Sequence, residues 1–233
     1  MHFLTDEKLD LSIIMPCLNE EQTVGICVDE ALEYISGHNI KGEVIVVDNG
    51  STDDSYFVAR KHGAHVIKEQ TKGYGKAIRT GICNSAGKVI IIGDCDTTYD
   101  FSDLDNFYNP LSKGEADYMM GDRLNKNMEK GAMSISHKIG VRFLSACGRK
   151  KYKVNVRDFH SGLRGLTRDA ALKMDLQTDG MEFATEMVAK AAASELKIEQ
   201  TSIVLRKCMY KRESKLRTVR DGLRHLNYIV RGI

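Results

Sequence analysis

Short apolar runs alternate with helix-period segments along the first 125 residues. Leu11–Met15 and Glu43–Asp48 are rich in Ile and Val, and each closes on a polar turn. Val89–Asp94 repeats the pattern and Tyr118–Gly121 gives a shorter version. Between them, residues 21–34, 51–62, 75–85 and 102–111 carry helical spacing. Ser51 with Asp54 three residues on reads as a capping box, which predicts a helix start just past the second strand. Such alternation predicts an α/β fold with a mostly parallel sheet and helices on both faces. Near the end, Leu216, Val219, Leu223, Leu226 and Val230 recur at intervals of three and four. Lys215, Arg217, Arg220, Arg224 and Arg231 occupy the other faces. That pattern predicts a basic amphipathic helix, suited to an anionic membrane surface or to docking on the domain.

Composition narrows the picture. A chain of 233 residues can bury one sizeable core, and only Pro16 and Pro110 interrupt it as prolines, so no linker is expected. The net charge of +2 is uneven: residues 206–233 hold nine Lys/Arg (206, 207, 211, 212, 215, 217, 220, 224, 231) against Glu213 and Asp221. That segment is +7, which leaves −5 for residues 1–205 (2 − 7), and the two stretches are expected to form the main domain and a membrane-proximal segment. The six cysteines are scattered without a Cys-x-x-Cys pair, which fits reduced thiols in a cytoplasmic compartment. The start lacks the basic and apolar regions of a signal peptide, and no run reaches the length of a membrane span. No aromatic platform or recognised module accompanies the basic tail, so nucleic acid is not an expected partner.

The chemistry concentrates at strand ends. Asp94-Cys95-Asp96 follows the third apolar run, where two carboxylates two residues apart suit a hard divalent ion completed by water and a diphosphate. Strand C-terminal ends border the ligand crevice of open α/β sheets. Pro16-Cys17-Leu18-Asn19-Glu20 and Asp48-Asn49-Gly50-Ser51 follow the first two runs. Asp48 can accept hydrogen bonds from a base or ribose, and the plain alternative is a turn and helix cap. Gly73-Tyr74-Gly75-Lys76 is neither a P-loop nor a dinucleotide fingerprint, though its glycines allow backbone to approach a ligand. Cys95 is expected to face the core.

Leu11–Pro16, Asn19-Glu20-Glu21, Val46–Asp53, Lys72–Ala77 and Gly93–Asp96, in this order, resemble the family 2 glycosyltransferases with the GT-A nucleotide-sugar fold. Met120–Arg123, Gly131–Met133, Asp158–Gly165, Gly180–Met187 and Ser214–Gly222 resemble the polyprenyl-phosphate sugar synthases, the dolichol-phosphate mannose and glucose synthase group. The resemblance runs over roughly residues 10–228. Asn49 stands where the family often has Asp, and many relatives continue into transmembrane helices not seen in this sequence.

The resemblance implies inverting transfer of a sugar from a nucleotide-diphosphate donor to a polyprenyl phosphate, with UDP-glucose the first donor and GDP-mannose the second. Pro16, Leu18, Asn19, Glu20, Asp48, Lys76, Asp94, Cys95 and Asp96 would hold the donor, and Asp96 with Asp94 would ligate Mg²⁺ or Mn²⁺. Arg123, Ser161, Gly162 and Arg164 are the candidates for the acceptor phosphate, because guanidinium forks match phosphate oxygens. Asp94, Asp96, Asp158 and Arg164 form the catalytic set, with Asp158 alternatively orienting Arg164. Glu182 and Glu186, four apart on one helix face, resemble the family's site-lining pair, joined by Arg212 and Lys215. His160 reads as a packed histidine. A soluble or glycan acceptor is the second reading, and a membrane-surface module without activity the third. Peripheral association with the cytoplasmic membrane face is expected, and homo-oligomerisation is left open.

Overall fold

The structure is a computed structural model that describes residues 2–6, 8–210 and 218–231. Its elements in order are β1 (Leu9–Cys17), α1 (Val24–Gly37), β2 (Gly42–Asp48), α2 (Ser55–Lys61), β3 (His65–Lys68), α3 (Tyr74–Asn84), β4 (Gly87–Ile92), α4 (Asp105–Ser112), β5 (Tyr118–Asp122), α5 (Ile135–Tyr152), β6 (Arg164–Thr167), α6 (Arg168–Met174), α7 (Phe183–Ala193), β7 (Ile198–Ser202) and α8 (Thr218–Arg231). One seven-stranded sheet has the order β3-β2-β1-β4-β6-β5-β7. Only β6 runs against its neighbours β4 and β5. The remaining pairs are parallel.

The alternation of strand side chains divides the core into two layers. Ile13, Met15, Val44, Val46, Val89 and Ile91 bury on one face with Val24, Val28 and Phe107 of α1 and α4. Ile14, Ile45, Val47, Ile90 and Ile92 bury on the other with Ile78, Phe183 and Met187 of α3 and α7. Continuous Ile/Val runs arise because both faces of β1, β2 and β4 are covered.

The order of β1, β2 and β4 brings Cys17, Asp48 and the residues after Ile92 to one edge of the sheet. Because β6 is reversed, its first residue Arg164 pairs with Ile92 at that same edge. The end of β5 arrives there too, since Met120 also pairs with Arg164. Every candidate donor and acceptor loop before residue 165 therefore opens on one crevice rim.

One local expectation is corrected. The helix after β2 starts at Ser55, not Ser51, and Asp54 makes no side-chain cap. Ser51 instead accepts from the Asn19 amide at 2.9 Å, so it ties the turns after β1 and β2 together. The expected C-terminal helix is present as α8, which packs on α5 and α7. Its inward face is Asp221, His225 and Ile229, all buried. Leu223 and Val230 of the expected apolar stripe are 61% and 67% exposed. Lys215, Leu216 and Arg217 lie outside the described residues, as does the side chain of Val219.

Candidate active site

The turn after β4 holds the acidic triplet. Thr97, at φ 63°, turns the chain in the left-handed region, and Asp96 accepts from the Thr98 amide at 3.0 Å. Asp96 is buried. Cys95 faces inward as expected: its thiol donates to the Pro16 carbonyl at 3.4 Å, and a hydrogen bond with Cys17 and burial push its pKa far up. That contact pins the triplet to the turn after β1. Asp94 is hydrogen-bonded by Tyr74 from the start of α3. Its carboxylate stands directly over Gly162, where a β-carbon would lie 2.3 Å from Oδ2. Glycine at 162 is thus what lets the 159–162 loop close on the acidic turn.

The turns after β1 and β2 are cross-braced. Asn19, at φ 51°, accepts the Thr52 amide at 2.8 Å, and the Glu20 amide donates to Ser55 at 2.7 Å. Asp48 is buried at the end of β2 and accepts the Ser51 amide at 3.1 Å. Leu18 and Pro16 are half-buried in the same turn. Asn49 has a local explanation: its amide donates to the Glu69 and Thr71 carbonyls at 3.1 and 2.8 Å and accepts the Gly73 amide at 2.8 Å. A carboxylate there could not donate to those carbonyls. Lys76 pairs with Glu69 at 3.7 Å. The close approach permitted by Gly75 is to protein, since a β-carbon would meet the Thr178 carbonyl at 2.4 Å. A cavity of about 200 Å³ lies between Asn19–Thr23, Asp53, Cys208 and Tyr210. A larger one of about 460 Å³, between the end of α5, α7 and β7, contains none of these groups.

Across the rim, Asp158 grips Arg123 through a bidentate fork, Nε to Oδ2 at 2.6 Å and Nη2 to Oδ1 at 3.0 Å. Asp158 therefore orients Arg123, and not Arg164. Burial opposes both charges, but the pair overrides it, so Asp158 stays below and Arg123 above its ordinary range. Asp94 adds to the stabilisation of Arg123. The fork engages Nε and Nη2 of the guanidinium.

Arg164 is differently placed from the phosphate-gripping role. Its guanidinium donates to the Ser161 carbonyl (2.6 Å), the Tyr118 hydroxyl (2.9 Å), the Ala184 carbonyl (2.8 Å) and the Phe159 carbonyl (2.7 Å). With four of five N–H groups bound, it acts as the frame of the 159–162 loop. Ser161 is buried beside it, and the Gly162 amide donates to Tyr99 at 2.8 Å. Glu186 likewise departs from a site-lining role: buried, it accepts the amides of Gln177 and Thr178 at 2.8 Å each. Glu182 precedes α7 and pairs with Arg224 of α8 at 3.2 Å. Arg212 lies outside the described residues, as does Lys215.

Sequence reasoning passed over Tyr74, Tyr99 and Tyr118, whose hydroxyls brace Asp94, Gly162 and Arg164. It also passed over a histidine pair. The rings of His160 and His225 meet edge to face at 4.3 Å, and the Thr185 hydroxyl lies 3.4 Å from His160 Nε2 and 2.8 Å from His225 Nδ1. Burial, then Arg164 and Arg224, push His225 down to about 4. A histidine depressed when folded contributes stability that is whole above pH ~6.5 and is lost as pH falls toward about 4. Thermal melts should show the midpoint falling through that window, and His225→Gln should flatten the fall. An unchanged slope in the variant would contradict a buried neutral His225.

Among the described residues no cluster of three or more His, Cys, Asp or Glu side chains could enclose a metal. Paired carboxylates suit Mg²⁺ or Mn²⁺, which keep water and substrate phosphates as their other ligands. The donor set of Asp94 and Asp96 fits such an ion.

A family model described as Glycosyl transferase family 2 matches residues 12–174. The low-salt glycan biosynthesis hexosyltransferase Agl6 of Haloferax volcanii is 37% identical over 94% of this chain and 53% of its own length. The chain thus spans about half of that relative. A dolichyl-phosphate hexose transferase of the same organism is 29% identical over 84% of this chain and 83% of its own. Among solved structures, glucosyl-3-phosphoglycerate synthase from Mycobacterium tuberculosis with phosphoglyceric acid superposes with a TM-score of 0.76 at 20% identity, covering 96% of this chain and 79% of that one. The GT-A sheet, the acidic turn on its rim and the family match over most of the chain agree, and the protein belongs to glycosyl transferase family 2.

Proposed function

We propose that the protein transfers a hexose from a nucleotide-diphosphate donor to a polyprenyl phosphate, inverting the anomeric carbon. The observation that carries this is the meeting of Asp94 with Gly162 beside the buried Asp158–Arg123 fork, which sets an acidic and a cationic half side by side. The turns at 16–20 and Asp48 would hold the nucleoside, with Lys76 near it. A Mg²⁺ or Mn²⁺ ion at Asp96 and Asp94 would supply Lewis-acid neutralisation of the departing diphosphate. A phosphate monoester is mostly dianionic near neutral pH, its second pKa being about 6, so the acceptor oxygen needs no strong general base. Arg123, fixed by Asp158, would hold that phosphate in line, with the Ser161–Gly162 loop beside it. Arg164 and Glu186 would act by shaping loops.

UDP-glucose is the first donor, supported by the solved relative with Mn²⁺ and UDP-glucose and by a mouse dolichyl-phosphate beta-glucosyltransferase 26% identical over 83% of this chain. GDP-mannose is the second. The same solved relative holds phosphoglyceric acid, which favours a soluble phosphate acceptor as the alternative. A screen of UDP- and GDP-sugars with citronellyl phosphate tests the reading. One donor should release its nucleoside diphosphate only when the lipid phosphate is present. Release that ignores the lipid phosphate for every donor would refute it.

No described helix is long and apolar enough to cross a membrane. The proposed acceptor is lipid-borne, and the exposed face of α8 answers to it. Its neighbour α5 exposes Ile135, Ile139 and Phe143 at four-residue intervals. Exposed Arg142, Lys150, Arg220 and Arg231 flank these apolar positions, the composition of a helix pair lying on anionic lipid. On this reading the protein is peripheral on the cytoplasmic membrane face. Ile139→Glu with Val230→Glu should abolish sedimentation with anionic vesicles at low salt and leave the melting temperature unchanged, since both side chains are exposed. Equal sedimentation of variant and parent would exclude this surface.

A further inference from the structure

A line of hydrogen bonds joins the exposed C-terminal helix to the buried arginine of the acceptor side. His225 Nδ1 on α8 meets Thr185 Oγ1 on α7 at 2.8 Å, and Thr185 Oγ1 meets His160 Nε2 at 3.4 Å. The His160 amide donates to Asp158 Oδ1 at 3.1 Å, and Asp158 holds Arg123 in its fork. His160 has no other polar anchor for its ring: Nδ1 is shut from solvent and has no hydrogen-bond partner among the described residues. Its orientation therefore depends on Thr185 and on ring contacts with His225 and Phe159.

The surroundings of His160 add a reason for this dependence. Burial weighs most on His160, and Arg123 just past β5 and Arg164 of β6 add positive potential to it, as Arg164 and Arg224 do to His225. Asp158 is the carboxylate on its own loop, and that group is already bound by Arg123. A ring in a net positive basin, fixed through one hydroxyl, turns or shifts when that hydroxyl is lost. Its loop carries Asp158 two residues away, and so carries the aim of Arg123.

We propose that His160 is a positioning residue that couples the seating of α8 to the grip of Arg123 on a phosphate monoester acceptor, through Thr185 and His225. The proposal rests on the acceptor reading above. In this arrangement, a helix that seats fully when its outer apolar face meets lipid also sets the acceptor loop, so phosphate affinity rises at the surface where a lipid phosphate resides. Donor binding, built from the turns after β1, β2 and β4, is outside the line.

Thr185→Val keeps the shape of the side chain and removes the hydroxyl, and His225→Leu removes the imidazole. Each should raise KM for citronellyl phosphate about tenfold, the loss of a hydrogen bond in a charged setting, with kcat and donor affinity held. The double variant should be no worse than either single one, since both cut the same line. His225→Asn, whose amide nitrogen can take the place of Nδ1, should restore most of the affinity. Calorimetric binding of inorganic phosphate, which needs no turnover, should show the same order. If no polyprenyl phosphate is used but phosphate binding still follows this order, the acceptor reading falls and the coupling stands. Additive losses, donor affinity and melting temperature falling together, or unchanged phosphate binding in Thr185→Val would overturn the coupling.

Discussion

Asp96→Asn should leave a folded protein whose transfer rate is reduced about a thousandfold, because roughly 4 kcal/mol of charge stabilisation at the leaving diphosphate disappears with the carboxylate. The amide is the right probe, since its oxygen can still accept from the Thr98 amide that shapes the turn. Alanine would remove that bond as well and blur the result. Chelation of the wild-type protein should reproduce the loss, and added Mn²⁺ should rescue the wild type but not the variant. Near-normal turnover in both the chelated protein and Asp96→Asn would remove the metal from the account. Asp94→Asn should follow the same direction, with an added effect on Tyr74, whose hydroxyl leans on that carboxylate.

Arg164→Lys should act on stability before it acts on substrate. One ammonium cannot satisfy the Ser161, Phe159 and Ala184 carbonyls and the Tyr118 hydroxyl, which lie around the planar fork. Leaving two of these buried groups unpaired costs on the order of 3 kcal/mol, or roughly 6–12 °C of melting temperature for a domain of this size. Acceptor KM should rise only as the 159–162 loop loosens. A variant with an unchanged melting temperature and a large acceptor defect would return Arg164 to the phosphate. Arg123→Lys should show the opposite balance, because Asp158 can hold an ammonium while the planar guanidinium fork is lost.

Strands β1, β2 and β4 were legible because both their faces are covered, and continuous Ile/Val runs follow from that. Strands β3, β6 and β7 were not. His65–Lys68 and Ile198–Ser202 are sheet edges with mixed composition, and β6 opens on a charged residue held by two neighbouring carbonyls and by the distant Tyr118 and Ala184. The acidic triplet and the turns at 16–20 and 48 were legible, since chain-local order places them at strand ends. Arg123 and Arg164 look alike as sequence; only the fold assigns one to Asp158 and the other to three carbonyls and a tyrosine. Glu182 and Glu186 share a spacing, yet Glu186 turns inward to cap residues 177 and 178. The α8 stripe was legible as apolar but not as outward. The inward face contains Asp221 and His225, residues that a hydropathy pattern assigns to water.

Transfer to a lipid phosphate compared with a soluble one tests the central claim most directly. Purified protein with Mn²⁺ and its preferred nucleotide sugar should be given citronellyl phosphate or 3-phosphoglycerate at equal concentration, and the glycosylated product identified by mass. Citronellyl-phosphate hexose should be the dominant product. Product on 3-phosphoglycerate alone would contradict it.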